Sequence, residues 1–147
     1  MEKVKTKKVF LDGPISPQFI ADSIQKHSTK TDIGAHNIFM GQVRNDVIDG
    51  KEVTAIDYSA YNEMAEKELH RIREAAFEQF DLTCMHIYHS LGIVKTGEIS
   101  LFVFVSSKHR DECYKASRYI VEGIKANVPI FGKEIFEDET YVWKEST

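Results

Sequence analysis

Cysteine and proline are both scarce in this 147-residue sequence, which contains two of the first and three of the second. With only Cys84 and Cys113 present, neither a disulfide framework nor a zinc motif of paired cysteines is expected, and we interpret both as buried small side chains in a reducing cytosol. Long hydrophobic runs are also missing, because stretches such as ISLFVFV at 99–105 are too short to span a bilayer. We therefore expect no membrane segment, and the N-terminal lysines precede no apolar core that would direct export.

A strong excess of positive charge is missing too. The formal net charge is −4, which disfavours a nucleic-acid-binding protein. The charge is uneven, however, because residues 105–133 carry six Lys or Arg against three Asp or Glu. Local positive charge on an acidic body suits a focused site for a small anion. Low-complexity tracts and internal repeats are absent and 42% of residues are hydrophobic, so one globular domain over 1–147 is predicted.

Hydrophobic patterning predicts an α+β fold, with three main helices packed on a mainly antiparallel sheet. Strands are predicted at 7–13, 33–44, 53–61, 83–92 and 98–107, with two short final strands in IFGKEIFE and TYVWKE. The segment 45–52 is predicted as the turn between 33–44 and its return strand. The helices are predicted after the N-cap Ser16, after a cap at Asn62, and over about 108–126. Apolar residues at helical spacing form the expected buried stripes: Phe19, Ile20 and Ile24; Ala65, Leu69, Ile72, Ala76 and Phe80; Cys113, Ala116, Ile120 and Ile124.

Two cations open the predicted third helix. His109 and Arg110 follow a predicted buried strand, at a helix end where unpaired backbone N–H groups and the helix dipole favour an anion. Cations there oppose the dipole, so helix stability alone would not select them. An arginine fork suits phosphate, and a histidine transfers protons near neutral pH. We predict that the pair binds an anionic small molecule; the alternative is two solvated first-turn residues.

Further cations lie near a proline-containing turn. Lys125 and Lys133 flank ANVPIFG, and partly desolvated lysines there would have a lowered pKa suited to acid–base chemistry. Lys125 also lies in the last helical turn, where a cation is stabilising in any case. Arg44 lies at the end of a predicted strand, beside a turn, a position where a lone arginine is usually only solvated.

The two ends of the third helix are far apart. His109 and Lys125 would be separated by about 24 Å along a straight helix. Either the ends serve different sites, or an antiparallel neighbouring chain brings its His109 and Arg110 beside this chain's Lys125. The second option predicts a two-fold dimer with composite sites.

The histidines do not predict a metal centre. His86 and His89 point to opposite faces of their predicted strand, and His27, His36 and His70 are scattered along the chain. We interpret His89 as a packed, hydrogen-bonded residue. The sequence therefore predicts no metal site.

Five motifs, taken in order and spacing, resemble the large, catalytic subunit of molybdopterin synthase over nearly the whole chain. They are FMGQVRND, YSAYNEMAEKEL, IYHSLGIVKTGEIS, VSSKHRDECYKASRYIVEGIKANVPI and GKEIFED. The resemblance implies an α/β hammerhead-type fold and a cytoplasmic enzyme of molybdenum-cofactor biosynthesis. Such enzymes transfer sulfur from the C-terminal thiocarboxylate of a small ubiquitin-like carrier subunit, which ends in Gly-Gly, to cyclic pyranopterin monophosphate. This transfer forms the dithiolene of molybdopterin. The resemblance further implies a homodimer within a heterotetramer, and it implies that the reaction needs no metal or organic cofactor.

The resemblance also implies functional residues. Those implied to bind substrate are Gln42, Val43, Arg44, His109, Arg110, Lys125, Lys133 and Glu134. Arg44, His109 and Arg110 would hold the phosphate and the pterin. Lys125 and Lys133 are implied to be catalytic, with Lys125 attracting the thiocarboxylate and stabilising negative charge or moving protons.

One position departs from the pattern that many members of the family share. Gly132 stands where those members have a second functional lysine, and Lys133 is the next residue. Either Lys133 reaches into that role, helped by the glycine, or the protein relies more heavily on Lys125. The missing lysine also keeps open an alternative function, in which the chain is a non-catalytic, dimeric anion-binding or scaffold module.

Overall fold

A computed structural model describes residues 8–144, which form eight strands and three helices. In chain order they are β1 (Phe10–Asp12), α1 (Pro17–His27), β2 (Ala35–Gln42), β3 (Val47–Ile48), β4 (Lys51–Ala60), α2 (Asn62–Gln79), β5 (Cys84–Lys95), β6 (Ile99–Ser107), α3 (Arg110–Asn127), β7 (Ile130–Phe136) and β8 (Tyr141–Trp143). The predicted α+β class is confirmed. Within the described range, no helix combines the length and the apolar character that a membrane crossing needs.

The strands form one sheet in the order β2-β6-β5-β4-β7-β8, with β1 beside β5 and β3 beside β4. The β1–β5 pair is parallel and the other pairs described are antiparallel, as predicted for a mainly antiparallel sheet. The long strand β5 pairs with β6 over 84–89 and with β4 over 92–95. It therefore joins the two halves of the sheet.

The strand β6 is buried on both faces, as its nearly continuous apolar sequence predicts. Phe102 and Phe104 pack with Ile20 of α1 on one face. Val103 and Val105 pack on the other face, in the core that α2 and α3 cover. Helices on both sides of the sheet thus enclose β6.

Helix boundaries follow local chemistry. The predicted cap of α1 is confirmed, because the Ser16 hydroxyl accepts a hydrogen bond from the Phe19 amide at 3.1 Å and Pro17 is the first helical residue. Two details of the prediction were wrong. Asn62 is the first residue of α2 rather than its cap, and Ile24, expected in the buried stripe of α1, is 43% exposed.

The predicted return strand pairs differently. The strand β4 was expected to pair with the strand before it, but β2 pairs with β6, while β4 lies between β5 and β7. The segment 45–52, predicted as a turn, also contains the short strand β3, which forms a hairpin with β4 around Asp49 and Gly50. Both of these residues have positive φ, as such a tight turn requires.

Burial on α3 predicts the effect of truncating its core residue. Ile120 is fully buried, so we expect Ile120→Ala to lower the free energy of unfolding by about 2–5 kcal/mol. The matched control is Ile24→Ala, an exposed isoleucine on α1, where the loss should be about 0.5 kcal/mol or less. Urea denaturation of both variants measures the difference. Equal losses would contradict the packing described here.

Candidate active site

A cavity of about 360 Å³ opens where the C-terminal end of α3 meets the sheet. It is large enough for a small organic ligand. Its wall includes Phe39, Met40, Gly41, Gln42, Val43, Arg44, Asp46, Ile56, Tyr58, His89, Ser100, Leu101, Ile124, Lys125, Val128, Ile130, Phe131, Gly132, Glu134 and Lys144. Three cationic side chains thus share one opening with apolar and hydroxyl groups.

Lys125 reaches the cavity from the last turn of α3. Desolvation by the surrounding protein lowers the pKa of its ammonium group, and repulsion from Lys144 and Arg44 lowers it further. The positive charges of Arg44, Lys125 and Lys144 therefore repel one another within a small volume. An ammonium group in this position gives up its proton more readily than one in water.

Lys144 is a cavity residue that the sequence analysis missed. It follows β8, and its ammonium group lies 3.2 Å from the Oε1 atom of Glu134. The Glu134 side chain is 7% exposed and that of Lys144 is 29% exposed, so the pair is largely shielded from water. Glu134 was predicted as a substrate-binding residue, and it does line the cavity.

Gly132 lies directly across from Lys144. The Lys144 amide donates to the Gly132 carbonyl at 2.8 Å, which fixes the two residues side by side on β7 and the end of β8. A Cβ atom at position 132 would lie only 2.8 Å from the Cγ2 atom of Ile56. A side chain at position 132 would therefore require Ile56 to shift, whereas Lys144 lines the cavity from the neighbouring strand.

Lys133 lies on the opposite face of β7 from Gly132 and Glu134. Its ammonium group is 4.7 Å from the ring centroid of Tyr141 and 5.1 Å from that of Trp143, which are cation–π contacts. Because successive side chains of a strand point to opposite faces, Lys133 does not line the cavity formed by the described residues. This position of Lys133 does not support the expectation that its side chain takes the role of the lysine that is missing at position 132.

The predicted segment Gln42, Val43 and Arg44 forms one wall of the cavity. Val43 is buried, and its amide donates to the Glu98 carbonyl at 3.0 Å, so the backbone here is fixed. Arg44 is exposed and lies 3.3 Å from Asp46, in an ion pair that is weak at such a surface and easily exchanged for another anion.

A buried polar group lines the floor. His89 is packed and hydrogen-bonded, since its Nδ1 atom lies 2.8 Å from the Ser90 carbonyl and its ring meets the edge of Tyr58. The Tyr58 hydroxyl donates to Ser100 at 3.2 Å, and burial raises the pKa of that phenol. Tyr58 lies on β4 and Ser100 on β6, so they are far apart in the sequence. No local sequence pattern therefore identified either residue as part of the site.

His109 and Arg110 lie at the other end of α3. His109 is the residue before the helix, Arg110 is its first residue, and both are exposed. Neither is among the described residues that line the cavity around Lys125. A single chain therefore does not bring together all the cations that the sequence analysis selected.

The fold brings one of the scattered histidines next to the predicted strand of His86. His27 lies beside His86 and Cys84, and the potential ligand atoms of these three residues all lie within 4.8 Å of one another. This cluster contains no residue of the cavity wall.

Comparison with known proteins gives consistent matches. The family described as MoaE protein matches residues 12–127. A protein from Taeniopygia guttata named molybdopterin synthase catalytic subunit is 41% identical over 114 residues, which is 77% of this chain and 72% of that protein. One of the same name from Pyrococcus abyssi is 40% identical over 108 residues, covering 74% of this chain and 72% of that protein.

Solved structures share the fold. Molybdopterin synthase from Staphylococcus aureus superimposes with a TM-score of 0.81 at 32% identity, over 93% of this chain and 96% of that chain. A complex of subunits 1 and 2 of the molybdopterin-converting factor from Helicobacter pylori matches with a TM-score of 0.79 at 18% identity, over 93% of this chain and 89% of that chain.

The buried His89 predicts a pH dependence of stability. Burial lowers its pKa in the folded protein to about 4, from an ordinary 6.5. Between these values the unfolded chain takes up a proton that the folded chain does not, so stability falls as pH drops from 6.5 towards 4. A shift of this size corresponds to a loss on the order of 3 kcal/mol.

Urea denaturation at pH 7 and pH 4.5 measures this loss. His89→Gln should lose markedly less stability between the two pH values than the wild type. His70→Gln, at a histidine on the surface of α2 beside Glu74, should keep the wild-type dependence. An unchanged pH dependence in His89→Gln would contradict the prediction.

Proposed function

The chain belongs to the MoaE protein family, and we propose that it is the catalytic subunit of a molybdopterin synthase, an enzyme of molybdopterin biosynthesis. The observation that carries the proposal is the cavity at the end of α3, where Arg44, Lys125 and Lys144 converge. Three cations around one small opening suit a substrate and a sulfur donor that are both anionic. We expect the substrate to be cyclic pyranopterin monophosphate.

We propose that the sulfur donor is the thiocarboxylate at the Gly-Gly end of a small ubiquitin-like subunit. The thiocarboxylate sulfur bonds to a carbon of the pterin as a C–O bond of that carbon breaks and its oxygen leaves with a proton. Water then cleaves the bond between this sulfur and the carrier's carboxyl carbon, so the carrier departs as a carboxylate and the sulfur stays on the pterin as a thiol. Two such transfers form the dithiolene. The apolar part of the cavity wall, which includes Phe39, Val128 and Phe131, offers space for a narrow peptide tail without side chains. We place this reaction in the cytoplasm.

Lys125 is the proposed catalytic residue. Among the described residues it forms no salt bridge, whereas Arg44 and Lys144 are each paired with a carboxylate. Its charge is therefore available to an incoming thiocarboxylate. The lowered pKa of its ammonium group also suits it to donate a proton and recover it during the reaction.

Lys144 is the proposed second lysine of the site. It lies opposite Gly132, is shielded from water, and lowers the pKa of Lys125. Glu134 orients its ammonium group, so the charge is held in place before a ligand arrives. Gln42, Val43 and Arg44 would bind the substrate beside it, with Arg44 exchanging Asp46 for the phosphate.

His109 and Arg110 are proposed to act in a second chain's site. They lie at the far end of α3 from Lys125, with Arg110 about 22 Å away along the helix for a separation of fifteen positions. An antiparallel homodimer would place this end beside the partner's cavity. The assembly would then be a homodimer that binds one small subunit at each end.

A single-turnover assay tests the proposal. The chain is mixed with a thiocarboxylated carrier protein and cyclic pyranopterin monophosphate, and the dithiolene product is measured after oxidation to a fluorescent pterin. We expect product with the wild type and a rate lower by about 10²-fold or more in Lys125→Ala, as for removal of a charge-stabilising group. Absence of product despite a stable complex with the carrier would instead support the scaffold function.

A comparison of turnover among lysine variants tests the role of Lys144. We expect Lys144→Ala to slow turnover and Lys144→Arg to restore part of the rate, whereas Lys133→Ala should stay close to the wild type because its ammonium group lies outside the cavity. Lys144→Ala should also raise the pKa of Lys125 and move the corresponding limb of the pH–rate profile to higher pH, an effect that simple loss of stability does not produce. Loss of turnover in Lys133→Ala but not in Lys144→Ala would reverse the assignment.

Composite sites predict complementation between inactive chains. A mixture of Arg110→Ala and Lys125→Ala chains should recover up to about a quarter of wild-type activity, since half of the randomly assorted dimers regain one intact site. Mass spectrometry of the intact dimers verifies the exchange of subunits. Verified exchange without recovered activity would show that each site belongs to a single chain.

A further inference from the structure

A second cluster of reactive side chains lies away from the cavity, where the end of α1 meets the start of β5. His27 is the last residue of α1, and Cys84 and His86 are the first and third residues of β5. Residues two apart on a strand face the same side, so Cys84 and His86 both point towards α1. His27 and Cys84 are more than nine-tenths buried.

The hydrogen bonds of His27 prepare it as a ligand. Its Nδ1 atom lies 2.7 Å from the Ser23 carbonyl, which only accepts, so Nδ1 carries the proton and the lone pair is on Nε2. That Nε2 atom lies 3.0 Å from the Nε2 atom of His86. A backbone carbonyl bound to the far ring nitrogen is the arrangement that commonly orients a metal-binding histidine.

The sulfur of Cys84 already contacts a cation. The ammonium group of Lys30 lies 2.8 Å from the sulfur, so a positive charge already occupies the place beside this donor atom. Lys30 is an exposed residue in the loop after α1. Its long side chain can turn to solvent when another cation takes its place.

An aromatic floor holds the rings in position. Phe104 lies beneath the cluster, with its ring centroid 4.7 Å from that of His27 and 6.4 Å from that of His86. A third histidine, His36, lies nearby, and its Nδ1 atom is 2.7 Å from the Ser106 hydroxyl. Packing against Phe104 therefore limits how far the rings of His27 and His86 can turn.

We propose that His27, Cys84 and His86 form a binding site for a divalent metal ion of the zinc class, which joins the C-terminal end of α1 to β5. Two imidazole nitrogens and one thiolate are donors that Zn²⁺ accepts, and a water molecule would complete a tetrahedron. Donors around one Zn²⁺ ion lie about 3.3–3.7 Å apart. The present separations, which reach 4.8 Å at most, approach this with side-chain movements of about 1 Å.

Cobalt provides the test because tetrahedral Co²⁺ bound to a thiolate absorbs light, whereas Zn²⁺ does not. Full-length protein stripped with a chelator, and freed of any histidine tag, is titrated with Co²⁺. We expect one equivalent to give the thiolate-to-cobalt band and Zn²⁺ to displace it. Cys84→Ser should abolish the band and His86→Gln should weaken binding by about 10-fold or more.

Matched controls separate this site from adventitious binding. Cys113→Ser changes the other buried cysteine and His70→Gln changes a histidine on α2, so both should keep the band. Lys30→Gln should bind at least as tightly as the wild type, because it removes the competing ammonium group. Zn²⁺ should also raise the melting temperature of the wild type but not that of Cys84→Ser. No thiolate band with excess Co²⁺, or a band that survives in Cys84→Ser, would overturn the proposal.

Discussion

The burial of β6 on both faces is the constraint from which the other features follow. A strand with phenylalanines on one side and valines on the other must be covered twice, so α1 packs on one face and α2 with α3 on the other. The helix α3 follows β6 directly and packs along the buried face of the sheet. The C-terminal end of α3 therefore lies beside β4, β7 and the end of β2. The cavity lies at that point. Its position is therefore set by the core, while its chemistry is set by the polar side chains at its rim.

Charge inside the cavity is arranged in pairs with one exception. Arg44 is matched by Asp46 at the exposed rim and Lys144 by Glu134 in the shielded interior, and among the described residues Lys125 has no such partner. The interior pair costs more to break than the rim pair, because a lone carboxylate would remain in a poorly hydrated place. A rim arginine that exchanges its partner easily suits substrate capture. A fixed interior lysine suits stabilisation of charge that develops during reaction.

Gly132 and Lys144 show how neighbouring strands bring residues together at the cavity. A Cβ atom at position 132 would lie 2.8 Å from Ile56, so a side chain there would require Ile56 to shift. Lys144 lines the cavity at the end of the adjacent strand, and a backbone hydrogen bond between the two residues fixes the register. The cluster of His27, Cys84 and His86 has a similar origin, since a helix end and a strand start supply groups that are 57 residues apart in the sequence.

The sequence by itself determined most of the helices and strands, and the family. The apolar spacing of α3, the doubly buried β6, the Ser16 cap and the α+β class all follow from local patterns, and the ordered motifs around Arg44 and Lys125 indicated the cavity wall. The tertiary structure alone decided which strands pair and what meets across them. In the folded chain β2 lies at the edge of the sheet beside β6, Lys133 points away from the cavity, and Lys144 lines it. The histidine at the end of α1 lies beside the histidine near the start of β5. Local patterns report the period and burial of one segment, whereas these outcomes depend on the register between segments distant in the chain.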